Sequence, residues 1–277
     1  DELDKWAIPS VNINGNGRIS FNEVDHFHNP LSIGFGLDKA GEEVLLSYLP
    51  GTAEDRVVDY VRFKGEENFV SLGRYPDGGD YWLHQSPSRD LTNNSGVLDI
   101  VIDEVMYHPV DPNEEYVELY NPTAFRVYLE NEAGQWRLDD QDTQGFQFAP
   151  GAYIEPGGRL VVVGFDPAAE PAALDAFVTA YRIPRLTIGL EIVGPFPGNF
   201  SNSGERLAVK RPQAPDDAED PISWVVVDEV IYSDISPWPV EADGSGEALQ
   251  RNHASVYHSG NDPSNWRTER PTPGNSP

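Results

Sequence analysis

No cysteine occurs anywhere in the 277 residues, so disulfides, thiolate chemistry and cysteine-based zinc sites are excluded together. Lysine is nearly as scarce: Lys5, Lys39, Lys64 and Lys210 are the whole set, beside 15 arginines. Basic residues number 19 against 46 acidic ones, a formal charge of −27 at pH 7. A surface that negative repels phosphate backbones at long range and disfavours nucleic acid as a partner. It suits cations, basic partners, or solubility in salty surroundings. Long apolar runs are missing as well, and no stretch approaches the length of a membrane span. Zincin, nucleophile-elbow and phosphate-loop motifs are all absent, so no acid, base and nucleophile set can be named.

What the chain has in quantity is turn formers. Twenty-five glycines and 24 prolines are scattered without a period among residues that are 39% hydrophobic and 11% aromatic. That is the composition of a folded, β-rich protein, here of a length that suits two domains. It also suits an exported bacterial protein. The stretch from Asn199 onward sets the pattern: Gly204-Glu205-Arg206-Leu207-Ala208-Val209, then Val226-Val227-Asp228-Glu229-Val230, Ala242-Asp243-Gly244 and Pro271-Thr272-Pro273. A diluted copy precedes it in the same order, as Gly41-Glu42-Glu43-Val44-Leu45-Leu46, Val57-Val58-Asp59-Tyr60-Val61, Pro76-Asp77-Gly78 and Ser86-Pro87-Ser88. The chain therefore holds an internal repeat.

Strands are expected at 43–48, 56–63, 70–72 and 81–84, then at 98–107, 114–120, 126–129, 135–138, 145–148 and 159–165. In the second of these, Val57, Asp59, Val61 and Phe63 share one face, with Asp59 an exception expected to pair with a turn. Tyr116–Tyr120 alternates as a half-buried strand, Val117 and Leu119 inward. Ser86–Gly96, rich in Ser, Asn and Pro, reads as a linker. One helix is expected over 171–182, where Leu174, Phe177, Val178 and Tyr181 form a stripe between Pro171 and Pro184. The stripe is a packing face in an insertion between two strands. The boundaries that follow are residues 1–95 for a first, partial β unit and 96–277 for a complete one.

Over residues 97–277 the chain resembles the lamin tail domain family, in its exported bacterial branch. The residues that carry the resemblance are Ile102-Asp103-Glu104-Val105-Met106-Tyr107, Glu115–Pro122, Ile154–Val162, Phe200–Glu205, Val227–Tyr232, Pro237–Pro239, Ala242–Gly246 and Pro271–Gly274. Residues 30–95 resemble only the back half of such a domain, with Leu37–Glu42 in place of the Ser-Asn-x-Gly-Glu turn. The resemblance implies an all-β fold of two immunoglobulin-like β-sandwich units in tandem, the first partial, with a helical insertion in the second. It implies no catalysis. Eukaryotic relatives are nuclear scaffold modules, and bacterial relatives sit in exported multidomain proteins. The expected function is a non-catalytic structural or protein-binding module, secreted, on the cell surface or periplasmic. Its partners would be another protein or other domains of the same parent. The alternative is an accessory, targeting domain of a larger secreted hydrolase or nuclease.

Ligand candidates are few. Asp139, Asp140 and Asp142 form an oxygen-rich loop of the kind that gathers calcium, as does the run 216–220; both also read as solvated loops held open by self-repulsion. Asn12–Glu23 has calcium-loop spacing but one carboxylate, and reads as a Gly-Asn turn leading into a strand at 18–21. His26 and His28 alternate as a metal pair would, or as solvent-facing residues. His108, Asp111, Glu114 and Glu115 read as a hairpin loop. Trp136, Trp238 and Trp266 are either a sugar-binding platform or buried anchors of the sandwich.

Overall fold

Apolar residues that alternate between Gly-, Pro- and Asn-rich turns build eighteen short strands and one α-helix among the described residues. The computed structural model describes residues 5–28, 35–38, 41–96, 99–111, 114–140, 145–215 and 221–275. Two hairpins come first: β1 (Gly41–Tyr48) with β2 (Arg56–Lys64), and β3 (Ser71–Arg74) with β4 (Trp82–Gln85). Next come β5 (Val101–Met106), β6 (Tyr116–Tyr120), β7 (Val127–Tyr128), β8 (Glu130–Asn131) and β9 (Gly134–Gln135). They are followed by β10 (Arg137–Asp139), β11 (Phe146–Gln147), β12 (Tyr153–Ile154) and β13 (Arg159–Val163). Helix α1 (Pro171–Tyr181) leads to β14 (Ile192–Val193), β15 (Arg206–Gln213), β16 (Ser223–Ile231), β17 (Ala248–Arg251) and β18 (Trp266–Glu269).

From β5 onward the strands make an immunoglobulin-like sandwich. A six-stranded sheet ordered β14-β13-β6-β5-β17-β18 faces a four-stranded sheet ordered β11-β10-β15-β16. Ile102, Val105, Leu119 and Leu160 from the first sheet meet Leu138, Leu207, Val209 and Val230 from the second in one buried core. Ile102 and Val105 are three residues apart, yet both reach that core. The pairing with β6 skips Asp103, and this bulge resets the alternation.

The outer face of the larger sheet is covered too. Tyr116 on β6 meets Phe177 and Tyr181 of α1 edge-on, with ring centroids 5.8 and 5.3 Å apart. Residues 116–119 are therefore buried on both faces, not half-buried as the alternation suggests. The helix is more than an insertion: β13 and β14 run parallel, and a parallel pair needs a crossover between its strands. Arg182, expected inside the helix, adopts the left-handed conformation that ends it.

Three further expectations change. Residues 18–21 form no strand; a turn closed by Gly17 N–H on Asn14 O (2.7 Å) runs into a single π-helical turn at Glu23–Phe27. Ser86–Gly96 is a strap more than a linker, since Asn93 Nδ2 donates to Arg74 O (2.8 Å) and Asn94 N to Gln85 Oε1 (2.7 Å). In β2 the bulge at Val58 breaks the shared face, so Val57 is exposed while Asp59, Val61 and Phe63 are half-buried.

Candidate functional site

The hairpins β1–β2 and β3–β4 match the geometry of β15–β16 and β17–β18 within the sandwich. Gly41 and Gly204 start their hairpins at φ +127° and +117°, a region that favours glycine. Leu46 pairs with Asp59 and Ser47 with Val57, skipping Val58; Val209 pairs with Asp228 and Lys210 with Val226, skipping Val227. Each bulge thus sits beside an aspartate, and each aspartate binds an arginine on the following hairpin. Arg74 Nη2 donates to Asp59 Oδ1 at 2.6 Å, and Arg251 Nη1 and Nη2 donate to the two oxygens of Asp228. Each arginine in turn lies over the tryptophan it pairs with across the strands, Arg74 over Trp82 at 4.8 Å and Arg251 over Trp266 at 5.6 Å. One part of the expected repeat does not fit this frame. Residues 76–78 follow β3, whereas 242–244 precede β17, so the two Asp-Gly turns occupy different places.

The Asp228–Arg251 pair is buried and ties the sheets together. Asp228 is on the smaller sheet, Arg251 on the larger, and Ile102 N–H of the larger sheet also donates to Asp228 (2.8 Å). Burial pushes the Asp228 carboxyl up, and the Arg251 guanidinium pulls it back.

A second enclosed set lies on the outer face of the larger sheet. Glu104 and Glu118 sit directly opposite each other on β5 and β6, a like-charge pairing that costs stability if both are ionised. Glu104 accepts from Tyr116 Oη–H (2.6 Å) and Thr272 N–H (3.0 Å), and Glu118 accepts from Gly274 N–H and lies 2.9 Å from Arg159 Nε. Desolvation raises both carboxyls, and Glu104 raises Glu118 further. The C-terminal strap 271–275 thus lies across this face because its amides satisfy buried acids.

Between the first hairpins and the smaller sheet runs a cleft of about 780 Å³. Tyr60, Phe63 and Trp82 face it from one side and Lys210, Asp228 and Glu229 from the other. Several of its charges are matched in pairs. His84 Nε2 stands 3.2 Å from Glu66, Lys210 Nζ donates to Asp139 at 2.9 Å, and Arg206 Nε to Glu229 at 2.7 Å. At one end Arg211 grips Glu67 of the first part and Asp99 of the second. Burial lowers the Lys210 amine and Asp139 opposes that shift.

Of the expected calcium ligands, Asp139 and Asp140 reach this cleft wall, and Asp142 lies outside the described residues, as does the run 216–220. Asp139 is held by Lys210 and by Arg137 Nη2 at 3.0 Å, so a cation there would have to displace two built-in ones. Among the described residues no three His, Asp or Glu side chains gather as a metal site. His108 pairs with Asp243, beside a pocket lined by Glu115 and Asp234. There burial pushes the Glu115 carboxyl up to about 7, against the Phe200 N–H that donates to it. Trp136, Trp238 and Trp266 are buried in the core and form no sugar-binding platform.

Sequence reasoning missed Arg74, Arg251, Glu104 and Glu118 as organising residues. A signal existed for the first two: each repeat has Leu-x-Arg after its Val-Val-Asp, and a tryptophan beyond it. For the two glutamates there was none, because a buried acid in a strand reads like an exposed one.

Residues 93–187 match the Lamin Tail Domain family. No curated protein matches the chain. Among solved structures, a DUF4876 family protein from Bacteroides thetaiotaomicron superposes with a TM-score of 0.43 at 12% identity, over 79% of this chain and 88% of that one. The family match stops at residue 187, while β17 pairs with β5 and β15 with β10, so the sandwich itself closes only with the later strands.

Proposed function

From a chain that carries a lamin tail domain over residues 93–187, we propose a non-catalytic, protein-binding module of an exported bacterial multidomain protein. The observation that carries this reading is where apolar surface is left open. Leu45, Leu46, Tyr48, Val57, Val58 and Tyr60 are all exposed, and all six lie on the hairpin β1–β2. Apolar side chains left exposed together on one hairpin mark an interaction site more often than idle surface. The lamin tail domain is a non-enzymatic fold family, and the paired charges of the cleft and core support extending that to the whole chain. No helix among the described residues is long and apolar enough to cross a membrane.

A photo-crosslinking residue at Val58 tests the reading in the native host. Discrete protein adducts are expected there, and none from the same residue at exposed Glu132 on the far part of the chain. Indiscriminate adducts from both positions would overturn the binding reading. Turnover of a generic ester or phosphodiester substrate, abolished by a single substitution in this chain, would overturn the non-catalytic one.

A further inference from the structure

The hairpin β1–β2 and the hairpin β15–β16 share a glycine start, a bulge and a bulge-side aspartate, yet differ in what covers them. Leu46 and Val58 are 45% and 55% exposed, where their counterparts Val209 and Val227 are 0% and 7%. The same positions in the same local geometry are thus core in one hairpin and surface in the other. In the second, the larger sheet packs on the face of the hairpin, so Val209 and Val227 join the core, and a neighbouring strand covers its edge. Strand β10 lies antiparallel along the outer edge of β15, with Leu138 directly opposite Val209. Among the described residues β1 pairs with β2 alone, and its other edge carries no strand. An open strand edge beside an exposed apolar face is a template for another strand.

We infer that β1 is a strand acceptor: an extended segment of another polypeptide lies antiparallel along its outer edge, as β10 lies along β15. This rests on the reading of the chain as a binding module, and names its surface and mode. Backbone hydrogen bonds to Gly41–Tyr48 supply affinity, and alternate side chains supply selectivity. The donor carries an apolar residue where Leu138 stands in the covered hairpin, to cap Leu46. Its charge follows from the acceptor. Glu43 is matched by Arg62 across the hairpin, but the chain as a whole carries −27, so a neutral or basic segment is attracted and a second copy of this chain repelled.

The test uses the full chain, isotope-labelled, titrated with a synthetic peptide of residues 134–140 in which both aspartates are asparagine. Saturable amide shifts confined to Gly41–Tyr48 and its partner strand are expected, with affinity at least tenfold weaker in Leu46→Asp. Leu46 is exposed, so this variant keeps the fold, which its unchanged β15–β16 amide signals verify. Shifts that map elsewhere, equal affinity in Leu46→Asp, or no saturation overturns the strand-acceptor inference. Discrete crosslinks at Val58 with no peptide binding would sink this inference alone and leave the binding reading in place. A concentration-dependent dimer of the chain alone, dissolved by Leu46→Asp, would give the edge to a second copy and overturn the choice of occupant.

Discussion

The charged residues of this protein divide into a screened surface set and a small enclosed set, and the enclosed set does structural work. Arg251 is the clearest case. It joins the two sheets through Asp228, donates to Ile102 O (3.2 Å) and His258 O (2.9 Å), and is fully buried. Arg251→Ala leaves Asp228 buried beside one N–H donor, and breaking one side of such a pair costs about 3–5 kcal/mol. Chemical denaturation should show that loss, whereas Arg267→Ala at the solvent-facing ion pair with Glu269 should change stability by under about 1 kcal/mol. Glu115 gives the pH dependence. Its folded carboxyl holds a proton up to about pH 7, above the ordinary value of 4.5 for the unfolded chain. The folded state then binds the extra proton, so the stabilisation is complete below pH 4.5 and is lost as pH rises through 7. Glu115→Gln should flatten the stability profile between those limits, as read by melting temperature across buffers. An unchanged slope would assign the dependence to Glu104 and Glu118.

At the scale of elements, strands were far more legible than faces. Existence and order of β1 to β6, β13 and α1 follow from apolar periodicity and turn residues, as does the helix stripe of Leu174, Phe177 and Tyr181. The face of β2 was misread because a bulge intervenes. Skipping Val58 or Asp103 shifts the parity of every residue beyond it, and no composition signal announces the skip. The outer cover of β6 was also invisible, because Tyr116 and Glu118 are buried by α1 and by the strap 271–275, both distant in sequence. Of the candidate calcium loop, only its place on a strand end was legible; that Asp139 faces Lys210 and Arg137 depends on β15 lying beside β10. The helix offers a direct check. Phe177 packs on Tyr116, Phe165 and Tyr181, so Phe177→Ala should cost about 3–5 kcal/mol, the usual range for an enclosed phenylalanine. A loss under about 1 kcal/mol would show that the crossover adds little to the sandwich.

At the scale of the whole molecule, one motif is present twice and completed once. The second hairpin is closed by β10, by β5 and by the core between two sheets; the first keeps its Asp59–Arg74–Trp82 set and, among the described residues, lacks the neighbouring strand. Substituting matched positions separates the two: Val209→Asp puts a charge in the core and should unfold the sandwich, while Leu46→Asp should stay within about 0.5 kcal/mol, as surface changes do. These matched hairpins differ in cover: one is packed between strands and sheet, and the other is open along the outer edge of β1 among the described residues. Amide hydrogen exchange on the intact chain, read by mass spectrometry, tests that difference most directly. Strands β15–β16 should exchange only through global unfolding, while β1–β2 should exchange faster by on the order of a hundredfold or more. Equal protection of both hairpins in the chain alone would contradict it.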